Sequence, residues 1–164
     1  MENIILKIRN LKEIDKKILL HLIEDSHQSY REIAEKLSTT RQNISQRIKK
    51  LQEKQIILNY TINFNIHLFE EFRVKAYILF REVPNSKTRK HDENILKNIT
   101  EITNVSRLFG KYDGIIEVIA RDNEQVSNII KTIHELNGIK ETETFIVHTR
   151  IKDDKMIPIL KLLA

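Results

Sequence analysis

A chain of 164 residues and 19.5 kDa has room for one medium domain or two small ones, and 40% hydrophobic with 31% charged residues is the composition of a globular protein with material for a core. There is no cysteine, which excludes disulfides, thiolate chemistry and cysteine-based zinc sites; no apolar run approaches the ~20 residues of a membrane helix, and no signal-peptide cleavage pattern follows the first ten residues, so a soluble cytoplasmic protein with no membrane partner is expected. The net charge is +5, and the excess is local: between residues 38 and 54, Arg41, Arg47, Lys49, Lys50 and Lys54 stand against Glu53 alone, which predicts a polyanion as that segment's partner.

Residues 1–10 are an amphipathic leader whose Ile4, Ile5 and Ile8 offer a helical face or a contact for a partner chain. Residues 11–26 predict a helix with Leu11, Ile14, Ile18, Leu19, Leu22 and Ile23 as its core stripe. Two further helices follow across a short turn. The first, over 30–37, places Ile33, Ala34 and Leu37 inward behind a capping-box pair, Ser29 and Glu32. The second, over 41–54, has its seam at Ile44, Ile48 and Leu51 behind the candidate caps Thr39 and Thr40. At about 100° per residue, Gln42, Gln46, Lys49 and Glu53 lie opposite that seam, with Asn43, Ser45 and Lys50 flanking them and Arg41 and Arg47 closer to it.

Such a helix carries amides for adenine edges, arginine for guanine and lysine for phosphate. A short helix, a tight turn and a polar, basic second helix together predict a helix-turn-helix whose second helix reads double-stranded DNA. Thr40, Arg41, Gln42, Asn43, Ser45, Gln46, Arg47, Lys49, Lys50 and Lys54 are the expected contacts. Arg41, Gln42, Ser45 and Gln46 are placed nearest base edges, and Lys49, Lys50 and Lys54 on phosphates. The expected DNA-binding domain spans 1–56.

Residues 57–72 read as a strand or linker, with apolar residues in rough alternation from Leu58 to Phe64. A lone strand leaving a helical domain has unpaired backbone groups, and pairing with a second copy is one way to satisfy them. From 73 to 150 the pattern is strand (73–83), helix (87–103), strand (105–109), a turn at 110–114 holding two of the three glycines, strand (115–120), helix (122–136) and strand (139–150). This βαββαβ order is the ferredoxin-like arrangement, an antiparallel sheet with both helices on one face. Apolar residues of the first strand fall on both faces, so the uncovered face predicts a sheet-to-sheet homodimer. Residues 151–164 are a tail with a short helix over 157–164. The fold class is therefore α+β, a winged helix-turn-helix domain joined through a strand or linker to a ferredoxin-like domain.

Nothing points to an enzyme. His67, His91, His134 and His148 are isolated along the sequence, and neither a glycine-rich phosphate loop nor a nucleophile signature is present. No catalytic residue, metal ligand or cofactor is expected.

The ordered set of motifs resembles the leucine-responsive regulatory protein/AsnC family of prokaryotic transcription regulators. LKEIDKKILLHLIEDSHQSYREIAEKL is similar to the family's first two helices, and TTRQNISQRIKKLQEKQII to its recognition helix and the strand after it. Phe109-Gly110-Lys111-Tyr112-Asp113 resembles the glycine-x-tyrosine-aspartate turn of the family's ligand-binding (RAM) domain, and Glu141-Thr142-Glu143-Thr144 the paired threonines that open its last strand. The resemblance implies a DNA-binding regulator of palindromic operators, dimeric through its RAM sheets and assembling further into tetramers or octamers. It also implies an amino-acid effector near the turn, bordered by Gly110, Tyr112, Asp113, Thr142 and Thr144, and it matches Arg47 to the family's arginine in the recognition helix.

An amino acid suits the turn chemically. Asp113 can accept from its ammonium, while the backbone N–H groups of Gly110, Lys111, Tyr112, Asp113 and Gly114 and the hydroxyls of Thr142 and Thr144 can hold its carboxylate. A plain hairpin turn with a local Asp113 bond is the alternative. Without an effector, the same build would serve as a ligand-independent DNA-organising protein. Gln55 stands where the family usually has glycine, and must take up that residue's backbone geometry or another.

Overall fold

The computed structural model describes residues 6–84 and 86–163, so the expectations at Ile4, Ile5 and Ala164 lie outside the described residues. In chain order the elements are α1 (Glu13–Glu24), α2 (Tyr30–Lys36), α3 (Arg41–Glu53), β1 (Val74–Glu82), α4 (Ser86–Asn98), β2 (Ile102–Arg107), β3 (Gly114–Ala120), α5 (Asn123–His134), β4 (Ile139–Ile146) and α6 (Ile157–Leu163). Single 3-10 turns lie at Ile8–Asn10, Ile66–Leu68 and Glu70–Phe72. The chain divides into two units, Met1–Asn63 with Lys152–Ala164, and Phe64–Ile151. Among the described residues no helix is long and apolar enough to cross a membrane.

In the first unit, Ile18, Leu19 and Leu22 of α1, Ile33 and Ala34 of α2, and Ile44, Ile48 and Leu51 of α3 close one core. Leu163 of α6 completes it, so the segment read as a tail returns to pack on α1. The capping box forms as expected: Ser29 Oγ accepts from the Glu32 N–H at 3.2 Å, and Glu32 Oε2 accepts from the Ser29 N–H at 2.6 Å. The bond from the Ser29 N–H holds the Glu32 carboxyl below its ordinary range.

The turn between α2 and α3 is fixed by a paired C-terminal closure. Thr39 N–H donates to Ala34 C=O at 2.9 Å and Ser38 N–H to Glu35 C=O at 3.2 Å, which requires a left-handed Ser38 (φ 50°). The end of α3 repeats the device. Ile56 N–H reaches Leu51 C=O at 2.9 Å and Gln55 N–H reaches Gln52 C=O at 2.8 Å, with Gln55 at φ 56°. Gln55 thus adopts the glycine geometry, at a cost of about 1–2 kcal/mol for a residue with a Cβ.

Within the stretch 57–72, read as a strand or linker, residues 58–65 join no ladder within this chain, and Leu58, Tyr60, Ile62 and Phe64 are exposed. Alternation alone does not make a strand where no second strand lies alongside. In the second unit, Phe64 stacks on Phe69 at 5.0 Å between ring centroids, ahead of a fully antiparallel sheet in the order β2-β3-β1-β4. Ala76, Ile78 and Phe80 of β1 and Ile116, Val118 and Ala120 of β3 bury one face against Leu96 of α4 and Val126, Ile129 and Ile133 of α5. Gly138 donates its N–H to the buried Asp92 of α4 at 2.7 Å; a Cβ there would lie 2.3 Å from the same carboxylate oxygen. The opposite face, with Tyr77 and Leu79 of β1, Ile115 of β3 and Phe145 of β4, is not covered by these helices.

Candidate functional site

Helix α3 starts at Thr40, whose hydroxyl accepts from the Asn43 N–H at 3.2 Å, so this side chain serves as a cap. Arg41, Gln42, Ser45, Gln46, Lys49, Lys50 and Lys54 are all exposed, on a helix anchored from behind by the buried Ile44, Ile48 and Leu51. Lys49 has only a loose 4.0 Å approach to Glu53, an exposed pair worth about 0–1 kcal/mol. The cations of this stripe are therefore available to phosphate.

Two of the expected contacts are placed differently. Arg47 donates through Nη1 to Asp15 Oδ1 of α1 at 2.8 Å and through Nε to Asn43 Oδ1 at 3.1 Å. Asn43 in turn donates to Thr39 Oγ1 at 2.9 Å. The Arg47 and Asp15 side chains are only 24% and 17% exposed, so this chain of bonds ties α3 to α1 and to the preceding turn. Lys12, which sequence reasoning did not single out, lines the same groove of about 260 Å³ as Gln46, Lys50 and Lys54. Its only signal in the sequence is a basic residue directly ahead of the first helix.

The second candidate site is the turn between β2 and β3, folded against the end of β1. Asp113 N–H donates to Phe80 C=O at 2.9 Å, and Asp113 Oδ2 accepts from the Glu82 N–H at 2.8 Å. Arg81 Nε donates to Lys111 C=O at 2.9 Å, and the Tyr112 hydroxyl donates to Glu143 of β4. Lys111 Nζ lies 5.0 Å from the Tyr112 ring centre. Gly110 sits at φ 156° with nothing near a would-be Cβ, whereas a Cβ on Gly114 would lie 2.2 Å from the Phe80 ring.

Thr142 and Thr144 do not join this group. They pair with Phe80 and Ile78 in the β1–β4 ladder and so share the helix-covered side, where Thr142 Oγ1 meets His134 Nε2 of α5 at 2.6 Å. Glu141 and Glu143 take the open side, beside Arg81 and Tyr112. Arg81, Glu141 and Glu143 are the residues at this turn that sequence reasoning missed. Phe109, just before the turn, is fully exposed. Among the described residues no group of three or more His, Asp or Glu side chains is arranged to hold a metal ion.

A capped helix-turn-helix unit with a basic, amide-rich second helix, followed by a ferredoxin-like unit, is the build of a two-domain DNA-binding regulator. The chain matches the winged helix-turn-helix DNA-binding family over residues 11–57 and the Lrp/AsnC ligand-binding domain over residues 75–157. An HTH-type transcriptional regulator of Pyrococcus furiosus is 31% identical over 144 residues, covering 88% of this chain and 95% of the relative. The HTH-type transcriptional regulator FL11 of Pyrococcus horikoshii is 30% identical over 149 residues, covering 91% and 97%. Among solved structures, a Neisseria meningitidis transcriptional regulator in complex with L-Met superposes with a TM-score of 0.84 at 19% identity, over 93% of this chain and 99% of that one. Escherichia coli AsnC gives 0.81 at 22% identity, over 88% and 97%. The chain belongs to the Lrp/AsnC family of DNA-binding transcriptional regulators.

Proposed function

We propose that the protein is a non-enzymatic, sequence-specific regulator that binds a palindromic operator as a homodimer and whose assembly or DNA affinity responds to an amino acid. The exposed stripe Arg41, Gln42, Ser45 and Gln46 on α3 carries the reading, because it presents base-reading groups on a helix whose position is fixed by burial and by the Arg47–Asp15 pair. Two such helices, one per protomer, would enter successive major grooves about one helical turn apart. The uncovered face with Tyr77, Leu79, Ile115 and Phe145 supplies an apolar surface for sheet-to-sheet dimerisation. The effector half of the reading is supported by the match to a ligand-binding domain and by the L-Met complex of the Neisseria relative.

One observation favours a second reading, a DNA-organising protein without a ligand. The Asp113 carboxylate and the Tyr112 hydroxyl already have partners within the chain. Selection of bound duplexes from a random pool, with and without the twenty amino acids, separates the two. A palindromic consensus whose recovery changes with the mixture is the expected result. A consensus indifferent to amino acids removes the effector, and binding without consensus leaves the DNA-organising reading.

A further inference from the structure

Lys50 and Lys54 were expected to meet phosphates from α3 alone; in the fold they share a groove with Lys12, at the entry to α1. This groove of the first unit, about 260 Å³, is bordered by Lys12, Lys50 and Lys54, with Gln46 beside them and Leu51 and Ile56 among its apolar lining. Gln46, Lys50 and Lys54 follow one another at four-residue spacing, so they form one edge of α3 and its cap, about 6 Å apart along the axis. Lys12 borders the groove from the other helix, and its backbone is fixed there. Its C=O accepts from the Asp15 N–H at 2.8 Å and from the Lys16 N–H at 3.1 Å, and Leu11 before it packs on the core.

The acids closest to these lysines in the sequence are committed to other cations. Glu13 bonds Lys16 at 2.7 Å, and Glu53 approaches Lys49 at 4.0 Å. Asp15, the acid of the groove lining, bonds Arg47 at 2.8 Å, and that pair is neutral as a unit. Among the described residues Lys12, Lys50 and Lys54 form no ion pair, and all three are exposed. The groove therefore carries three ammonium groups without a counter-charge. A cleft bordered by one sign of charge concentrates the field inside it and draws the opposite charge in.

We propose that this groove seats a phosphate of the DNA backbone, so that α1 as well as α3 holds the duplex, with Lys12 as the contact from α1. The inference rests on the reading of α3 as the helix that enters the major groove. With Gln46 at a base edge, Lys50 and Lys54 lie about 6 and 12 Å further along the axis. The major groove is about 12 Å wide, so over that distance α3 passes out to the sugar-phosphate wall, where Lys12 meets it. Ammonium groups act on phosphate as point charges and read no base, so the contact adds affinity for every sequence alike. Holding one strand from two helices also fixes the angle at which Gln46 is presented.

The test measures binding of the full chain to its selected operator and to an unrelated duplex across a salt series. The variants are Lys12→Gln, Lys12→Arg, Gln46→Ala and, as a control for the loss of a charge elsewhere on α1, Lys17→Gln, an exposed residue outside the groove. Lys12→Gln should weaken both duplexes by the same factor, about three- to tenfold, and make the salt dependence shallower by about one phosphate contact. Lys12→Arg should restore the parent's slope, and Lys17→Gln should keep it. If Lys12→Gln keeps the parent's slope, or if Lys17→Gln lowers it equally, the proposal is overturned. Gln46→Ala separates that failure from a failure of the α3 reading. Loss of base preference in Gln46→Ala beside an unchanged slope in Lys12→Gln removes the groove contact and leaves α3 as the reader, whereas no change in either variant overturns both.

Discussion

The guanidinium of Arg47 is held at two of its donors, by Asp15 from α1 and by Asn43 one turn back on its own helix. A side chain so fixed sets the angle at which its neighbours on α3 are presented. Gln46, next to it and exposed, has no such commitment. The two residues should therefore fail differently. Asp15→Ala leaves a half-buried guanidinium without its carboxylate and should cost about 1–3 kcal/mol of stability, weakening binding to all sequences alike. Gln46→Ala should leave stability unchanged and relax preference at one base position by about 1–3 kcal/mol. Chemical unfolding together with binding to an operator and its single-base variants tests both. Equal losses of base preference in the two variants would place Arg47 among the readers after all.

At the scale of the element, the caps and seams were legible in the sequence because their causes are local. Ser29 with Glu32, and Thr40 ahead of α3, each form the bond their spacing implied. Gln55 was legible as a problem, and the left-handed backbone it adopts predicts its own remedy. Gln55→Gly should raise stability by about 0.5–1 kcal/mol, the relief of the Cβ contact less the extra freedom of an unfolded glycine. A urea midpoint that falls would mean the side chain makes a compensating contact. What was not legible depends on partners far away in the chain. Asp15 and Arg47 are 32 residues apart, and no local pattern joins them. The side of the sheet that Thr142 and Thr144 take was not legible either: strand register puts them on the helix-covered side and Glu141 and Glu143 toward the turn, and a shift of one residue exchanges the faces. The stretch 58–65 has the alternation of a strand but lacks a neighbour within the chain.

For the whole molecule, the informative residue is Leu163. It is buried among Ile18, Leu22 and Ile33, so the helix-turn-helix unit takes its last core residue from α6, beyond the entire second unit. Leu163→Ala should destabilise the first unit by about 2–4 kcal/mol while the sheet of the second unit keeps its own stability. Amide exchange resolved along the chain would show the loss confined to α1, α2 and α3; an equal loss in β1 and β3 would contradict the division. The same feature bears on biosynthesis. Domains usually fold in the order in which they leave the ribosome. Here the DNA-reading unit is the first to be made and the last to be completed. A polypeptide abandoned before α6 would carry all of α1, α2 and α3 yet lack part of the packing that holds them in place, so competence to occupy DNA is deferred until translation has passed through the second unit.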